Sequence, residues 1–255
     1  MMMPQQYNNA KIYPNFLYIG AAKSGSTWIY KILQEHPEVF VPEAKDTMFF
    51  DRYYRKGINW YLSFFQEGTG YKAIGEICHD YFLSGETARR IYEFSPHVKI
   101  ICCLRDPIER SISDYLYKKC IYLKKNVTFN EYISQDQSIK SSKYYQNLEP
   151  FYQLFPNQNI LILFFDELKQ SPPLFVEKLF KFLEVNSNFV PPFLHKKIIT
   201  AGEPRNYFLA HLAYKMGLLF REIDWANTVG KVKVNPWFNS LLYKPLKNKK
   251  EIVKT

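Results

Sequence analysis

The sequence predicts an α/β fold: a mostly parallel central sheet flanked by helices on both faces, beginning with an anion-cradling strand, loop and helix at the N-terminal end. Three observations predict it. Short apolar runs at residues 16–19, 71–78, 98–104 and 159–165 alternate with stretches of helical periodicity, the pattern of parallel strands joined by crossover helices. Charged and polar residues stand directly after those runs, where open α/β sheets place their functional groups. A glycine-bounded turn, Gly20-Ala21-Ala22-Lys23-Ser24-Gly25, separates the first run from a helix.

Taken in order, the strand at 16–19 leads into that turn, and from Ser26 onward Ile29, Ile32, Leu33 and His36 recur near helical spacing. Backbone N–H groups at a helix start are unpaired and lie at the positive end of its dipole, so the turn can cradle an anion while Lys23 adds a full charge. The spacing excludes two common anion loops. A Walker A loop started at Gly20 finds Gly25 and Thr27 but has Ser26 where its lysine belongs, and a dinucleotide fingerprint finds Ala22 at its second glycine.

Pro37 closes the first helix, and residues 39–51 read as a loop that mixes charge with the aromatic pair Phe49-Phe50. A short helix at 59–66 precedes the second strand, 71–78, which runs out into His79-Asp80-Tyr81-Phe82. A helix at 86–94 is broken by Ser95-Pro96, and 98–104 is the clearest strand in the chain. Arg105 stands immediately beyond it. Asp106 can cap the following helix, 108–122, and Pro107 suits its first turn. Ser113 then lies about two turns in, so one anion at the strand end can meet both Arg105 and Ser113. Helices at 128–134 and 141–155, a fourth strand at 159–165 ending in Asp166-Glu167-Leu168, and a helix at 172–183 complete the regular part. Beyond Val190 the pattern loosens into Pro191-Pro192, an irregular stretch to Arg205, an amphipathic helix at 206–222 and a tail carrying Lys244, Lys247, Lys249, Lys250 and Lys254.

The 255 residues, 47% of them hydrophobic and 18% aromatic, suffice for a buried core and exclude a disordered chain. Lys and Arg (34) exceed Asp and Glu (24), which favours anionic partners without choosing among nucleotide, acidic glycan, membrane surface and nucleic acid. Residues 1–10 are polar, with no basic segment leading into an apolar one, and no run is long enough to span a bilayer, so the expectation is a cytoplasmic protein without stable membrane insertion. The four cysteines have no zinc spacing, so no metal site is expected and they read as buried reduced thiols.

Lys23-Ser24-Gly25-Ser26-Thr27-Trp28 resembles the 5′-phosphosulfate loop K-[ST]-G-[ST]-T-[WR] of the sulfotransferases that use 3′-phosphoadenosine 5′-phosphosulfate (PAPS). Leu104-Arg105-Asp106-Pro107 through Ser113 and Tyr115 resembles the family's 3′-phosphate motif, about eighty residues later and after another strand. The likeness runs from about residue 16 to 183 and is specific in these two motifs. It implies one sulfotransferase domain over 1–255, with a nucleotide-binding core at 14–190 and a mainly helical portion at 191–255. It implies PAPS as donor and PAP as product, held by Lys23, Ser24, Gly25, Ser26, Thr27, Trp28, Arg105 and Ser113, with Arg205 in Gly202-Glu203-Pro204-Arg205 as a further contact. Trp28 has two readings, stacking on the base or filling the core. Lys23 would be catalytic as well, stabilising charge on the leaving 5′-phosphate.

Two residues compete for the general base. His79 stands where the cytosolic small-molecule branch places the histidine of K-T-H, although here the tripeptide is Ile77-Cys78-His79. Asp46 lies in Lys45-Asp46-Thr47-Met48-Phe49-Phe50-Asp51, similar to the K-E-x-H-F-F-D of glycan-modifying members but with Asp for Glu and Met for His. The balance tips to His79 as base, with Asp46 assisting or holding the acceptor. The implied acceptor is a hydroxyl of a glycan, glycolipid or small molecule, and not a nucleic acid; oligomeric state stays open. The competing readings are a P-loop kinase or NTPase, against which Ser26 speaks, and a basic nucleic-acid-binding module, which explains neither motif spacing.

Overall fold

The computed structural model describes residues 11–121, 127–134, 139–196, 202–222 and 241–245. β1 (Phe16–Gly20) is buried at every position. Phe16 and Tyr18 enter one apolar cluster while Leu17 and Ile19 enter another, so the strand is covered on both faces and reads as an unbroken apolar run. With β2 (Val39–Phe40), β3 (Ala73–Ile77), β4 (Lys99–Leu104) and β5 (Ile160–Phe164) it forms a five-stranded sheet in the order β2-β3-β1-β4-β5, every pair parallel. The central strands lie close: a Cβ at Gly75 would sit 2.1 Å from the Phe16 carbonyl oxygen, so only glycine fits there.

The helices are α1 (Ser26–Glu35), α2 (Ile58–Leu62), α3 (Gly85–Phe94), α4 (Pro107–Ile121), α5 (Phe129–Ser134), α6 (Tyr144–Leu154), α7 (Phe165–Gln170), α8 (Pro172–Leu183) and α9 (Tyr207–Glu222). α1 and α8 cover one face through Ile29, Ile32, Leu33, Phe175, Leu179 and Phe180. α2, α3 and α6 cover the other through Tyr61, Ile91, Leu148 and Phe151. An antiparallel pair, β6 (Gly202–Pro204) and β7 (Tyr243–Pro245), and α9 pack on α4.

This topology positions the site. The chain leaves β1 toward β2 and β3 on one side, then crosses to β4 on the other. The loops after β1 and β4 therefore diverge, opening a crevice at their C-terminal ends.

Several boundaries differ from the sequence reading. Val39–Phe40 is a paired edge strand and not loop, because two residues carry no periodicity to read. Residues 165–168 already belong to α7. Cys78, Cys102 and Cys103 are buried free thiols whose pKa values burial pushes up. Residues 1–10 and Lys247, Lys249, Lys250 and Lys254 lie outside the described residues.

Candidate active site

The turn after β1 is tied to the neighbouring strand, the Ala21 N–H donating to the Cys103 carbonyl at 2.9 Å. Lys23 bends the chain through the left-handed region (φ 67°), and Gly25 (φ 91°) caps α1 without a side-chain hydrogen bond. A Cβ at Gly25 would lie 3.1 Å from the Phe165 ring, so glycine keeps this backbone both bent and accessible. Arg105 leaves the end of β4 toward the same turn. Its Nη1 donates to the Lys23 carbonyl (3.3 Å), its Nη2 to Glu109 Oε2 (2.8 Å), and its guanidinium lies 4.8 Å from the Phe165 ring centroid.

Two polar groups here are buried without a hydrogen-bond partner among the described residues: Ser24 Oγ and Arg105 Nε. Buried donors without partners are costly, and their placement beside a helix N-terminus and Lys23 is what an anion would complete. Ser113 stands half-buried on α4, Ser26 is buried, and Thr27 is half-buried. Trp28 is buried and meets Phe175 edge-on at 6.0 Å, in the core cluster beneath α1, which is the packing alternative of the sequence reading. Arg205 is exposed and its backbone N–H donates to the Leu242 carbonyl (2.9 Å).

The two rivals for the base role are partners. Asp46 takes a left-handed backbone (φ 60°), and its N–H donates to the Ile77 carbonyl at 3.0 Å, which brings the loop over the end of β3. There its Oδ1 lies 2.8 Å from His79 Nδ1, while Lys45 Nζ donates to both carboxylate oxygens at 3.0 and 3.1 Å. The Asp46 carboxylate can only accept, so the neutral imidazole carries its proton on Nδ1, while Nε2 lies 3.6 Å from Asp80 Oδ1, too far for a hydrogen bond, and is left as a proton acceptor. The His79 side chain is 26% exposed whereas that of Asp46 is 1% exposed, so the imidazole is the member that can meet a ligand.

One residue that the sequence reading missed bridges the two halves. Lys23 Nζ sits 3.9 Å from the centroid of the Tyr117 ring on α4. Burial, and then the charge of Asp46, push the Tyr117 hydroxyl up to about 12, with Tyr214 of α9 adding to the effect. Its only sequence signal is its place one helical turn after Ser113, on the same face.

Comparison with known proteins bears on all of this. A family model described as "Sulfotransferase domain" matches residues 14–201. The membrane-associated sulfotransferase kil1 of Dictyostelium discoideum is 39% identical over 116 residues, 44% of this chain and 24% of that protein. Heparan sulfate glucosamine 3-O-sulfotransferase 6 of Homo sapiens is 35% identical over 103 residues, covering 40% of this chain and 30% of the relative. Bifunctional heparan sulfate N-deacetylase/N-sulfotransferase 4 of Mus musculus is 28% identical over 198 residues, 69% of this chain and 23% of the relative. The chain thus matches less than a third of the length of each of these relatives. The crystal structure of a sulfotransferase from Alicyclobacillus acidocaldarius superposes with a TM-score of 0.65 at 22% identity, covering 94% of this chain and 99% of that one, which shows the shared fold.

The cytoplasmic expectation is corrected by these relatives, one being membrane-associated and two being heparan sulfate enzymes by name. A polar start and the lack of a long apolar run were too weak a basis for a compartment. Among the described residues no helix is long and apolar enough to cross a membrane, so the correction rests on the relatives alone. With the stretches at 23–28 and 104–115 meeting across β1 and β4, and the domain match covering residues 14–201, the chain belongs to the PAPS-dependent sulfotransferase family.

Proposed function

We propose that the protein transfers a sulfuryl group from PAPS to a hydroxyl of a glycan. The observation that carries the donor half is the pair of buried, unpartnered groups, Ser24 Oγ and Arg105 Nε, flanking the start of α1 beside Lys23. These residues fit an anionic nucleotide: Lys23 and the turn's N–H groups suit the 5′-phosphosulfate, with Ser24, Gly25, Ser26 and Thr27 lining the turn. Arg105 and Ser113 suit the terminal 3′-phosphate. Arg205 is a further candidate contact, and Trp28 supports the turn from below.

When bound, PAPS supplies a sulfuryl group on a phosphate leaving group. Lys23 stabilises charge that develops on the phosphate side, a preorganised electrostatic effect. His79 Nε2 takes the proton of the acceptor hydroxyl, and Asp46 holds the imidazole in the tautomer that allows it. Lys45 donates to both carboxylate oxygens of Asp46 and so balances its charge. A glycan acceptor is supported by the names of the heparan sulfate relatives and by the net charge of +10, which suits an acidic polymer. Incubation with sulfur-35-labelled PAPS and a panel of desulfated glycosaminoglycan fragments, neutral oligosaccharides and phenols tests it. Label in a glycan is expected. Label in none of these, with no PAP released, would contradict the proposal, and label in phenols alone would reject the glycan.

A further inference from the structure

One buried carboxylate gathers the segments around the base pair, yet the proposed chemistry does not use it. Glu76, on β3, is 1% exposed. Its Oε2 accepts from Thr47 Oγ1 at 2.6 Å, and its Oε1 accepts from the hydroxyls of Tyr61 (2.9 Å) and Tyr81 (2.8 Å). Thr47 directly follows Asp46, Tyr81 stands shortly after His79, and Tyr61 comes from α2. Two of the three donors also touch each other, Thr47 Oγ1 lying 3.2 Å from the Tyr81 oxygen, which in turn accepts from the Phe50 N–H at 3.4 Å.

The loop needs such an anchor. Asp46 and Met48, on either side of Thr47, have φ of 60° and 57°, a left-handed region that non-glycine residues enter only when their surroundings hold them there. Burial raises the Glu76 pKa, and the hydrogen bonds from Thr47, Tyr81 and Tyr61 oppose that rise. Replacing such a buried polar network by apolar side chains is often neutral or stabilising, so stability alone does not account for it.

We propose that Glu76 is the positioning residue of the base pair: through Thr47 and Tyr81 it fixes the Asp46 loop and the end of β3 so that Asp46 meets His79 Nδ1 and Nε2 is left for the acceptor. This rests on the reading of Asp46 and His79 as the base pair. Thr47→Val removes the hydroxyl at nearly constant shape, Thr47→Ser restores it, and Glu76→Gln keeps the packing while losing the charge-assisted bond. In the full chain, nitrogen-15 NMR of the imidazole at a pH where it is neutral reads the tautomer without any turnover. kcat and the donor KM are measured beside it.

Wild type and Thr47→Ser are expected to show the Nδ1–H tautomer. Thr47→Val should show a mixture, with kcat lowered about tenfold or more and the donor KM within about twofold. Glu76→Gln should move the same way by less, and it decides the matter if Thr47→Val does not fold. A wild-type tautomer and kcat in Thr47→Val, a donor KM that rises as kcat falls, or no rescue by serine would each overturn the proposal. Should the wild-type protein transfer no sulfuryl group at all, the functional reading fails while the tautomer still decides the positioning role.

Discussion

The turn after β1 and the loop after β2 lie at the same, C-terminal, end of the parallel strands and are finished in opposite ways. Both pass through left-handed backbone at non-glycine residues, Lys23 in one and Asp46 and Met48 in the other. In the base loop the polar side chains are answered from within: Lys45 by Asp46, Asp46 by His79, Thr47 by Glu76. In the donor turn, Ser24 Oγ and the neighbouring Arg105 Nε are buried without partners among the described residues. On the function proposed above, the base is assembled before any ligand arrives, whereas the donor cradle is completed by one. Substitutions in the base loop should therefore damage the free protein and the chemistry, and those in the donor turn should register when nucleotide binds.

The largest effect is expected for Asp46→Asn. It removes the acceptor-only partner of His79, so turnover should fall by about 10²–10⁴-fold with nucleotide affinity retained. It also leaves the buried Lys45 ammonium without its carboxylate, so the melting temperature should fall as well. Lys23→Ala comes next, with a loss of about 10²–10³ in kcat from missing charge stabilisation and a smaller change in melting temperature. Steady-state kinetics beside thermal melts separate the two patterns.

Ser24→Ala sharpens the contrast. Removing a buried hydroxyl that has no partner should leave the nucleotide-free protein unchanged or slightly more stable. Nucleotide affinity should nonetheless fall by about three- to tenfold, the value of one neutral hydrogen bond. A destabilised free protein with unchanged affinity would reverse the reading of this turn.

That the two stretches around Lys23 and Arg105 meet was legible in the sequence, because each is short, contiguous and placed directly after a strand; their role toward a donor is the proposal above. Four of the five sheet strands were legible too, each long enough to show an apolar run, and the two-residue β2 was not. The base half was only partly legible. Asp46 and His79 are 33 positions apart, and what joins them is the left-handed bend at Asp46, which no periodicity announces. Glu76 is one charge inside the apolar run at 71–78, and nothing near it in sequence shows that Thr47, Tyr61 and Tyr81 come from three segments to meet it. Tyr117 was hidden as one more aromatic on a helix.

The smallest effect is expected at Glu109, at the rim of the cradle. Hydrogen bonds from Arg105 and Lys169 hold its carboxyl below the ordinary range, yet it is half-exposed, so Glu109→Gln should change stability by no more than about 0.5 kcal/mol. A depressed folded-state pKa stabilises above the unfolded value of about 4.3, and the gain is lost as pH falls through the folded one. Wild-type and Glu109→Gln melting curves should therefore differ slightly at neutral pH and converge in acid.

The central claim, that the crevice between β1 and β4 is a cradle completed by a bisphosphorylated nucleotide, is tested most directly by calorimetric titration of adenosine 3′,5′-bisphosphate into wild type and Arg105→Ala. One site per chain is expected in wild type, weakened by about 10- to 100-fold in Arg105→Ala, as for the loss of a hydrogen bond to a charged group. No binding to wild type, or equal binding to both proteins, would contradict it.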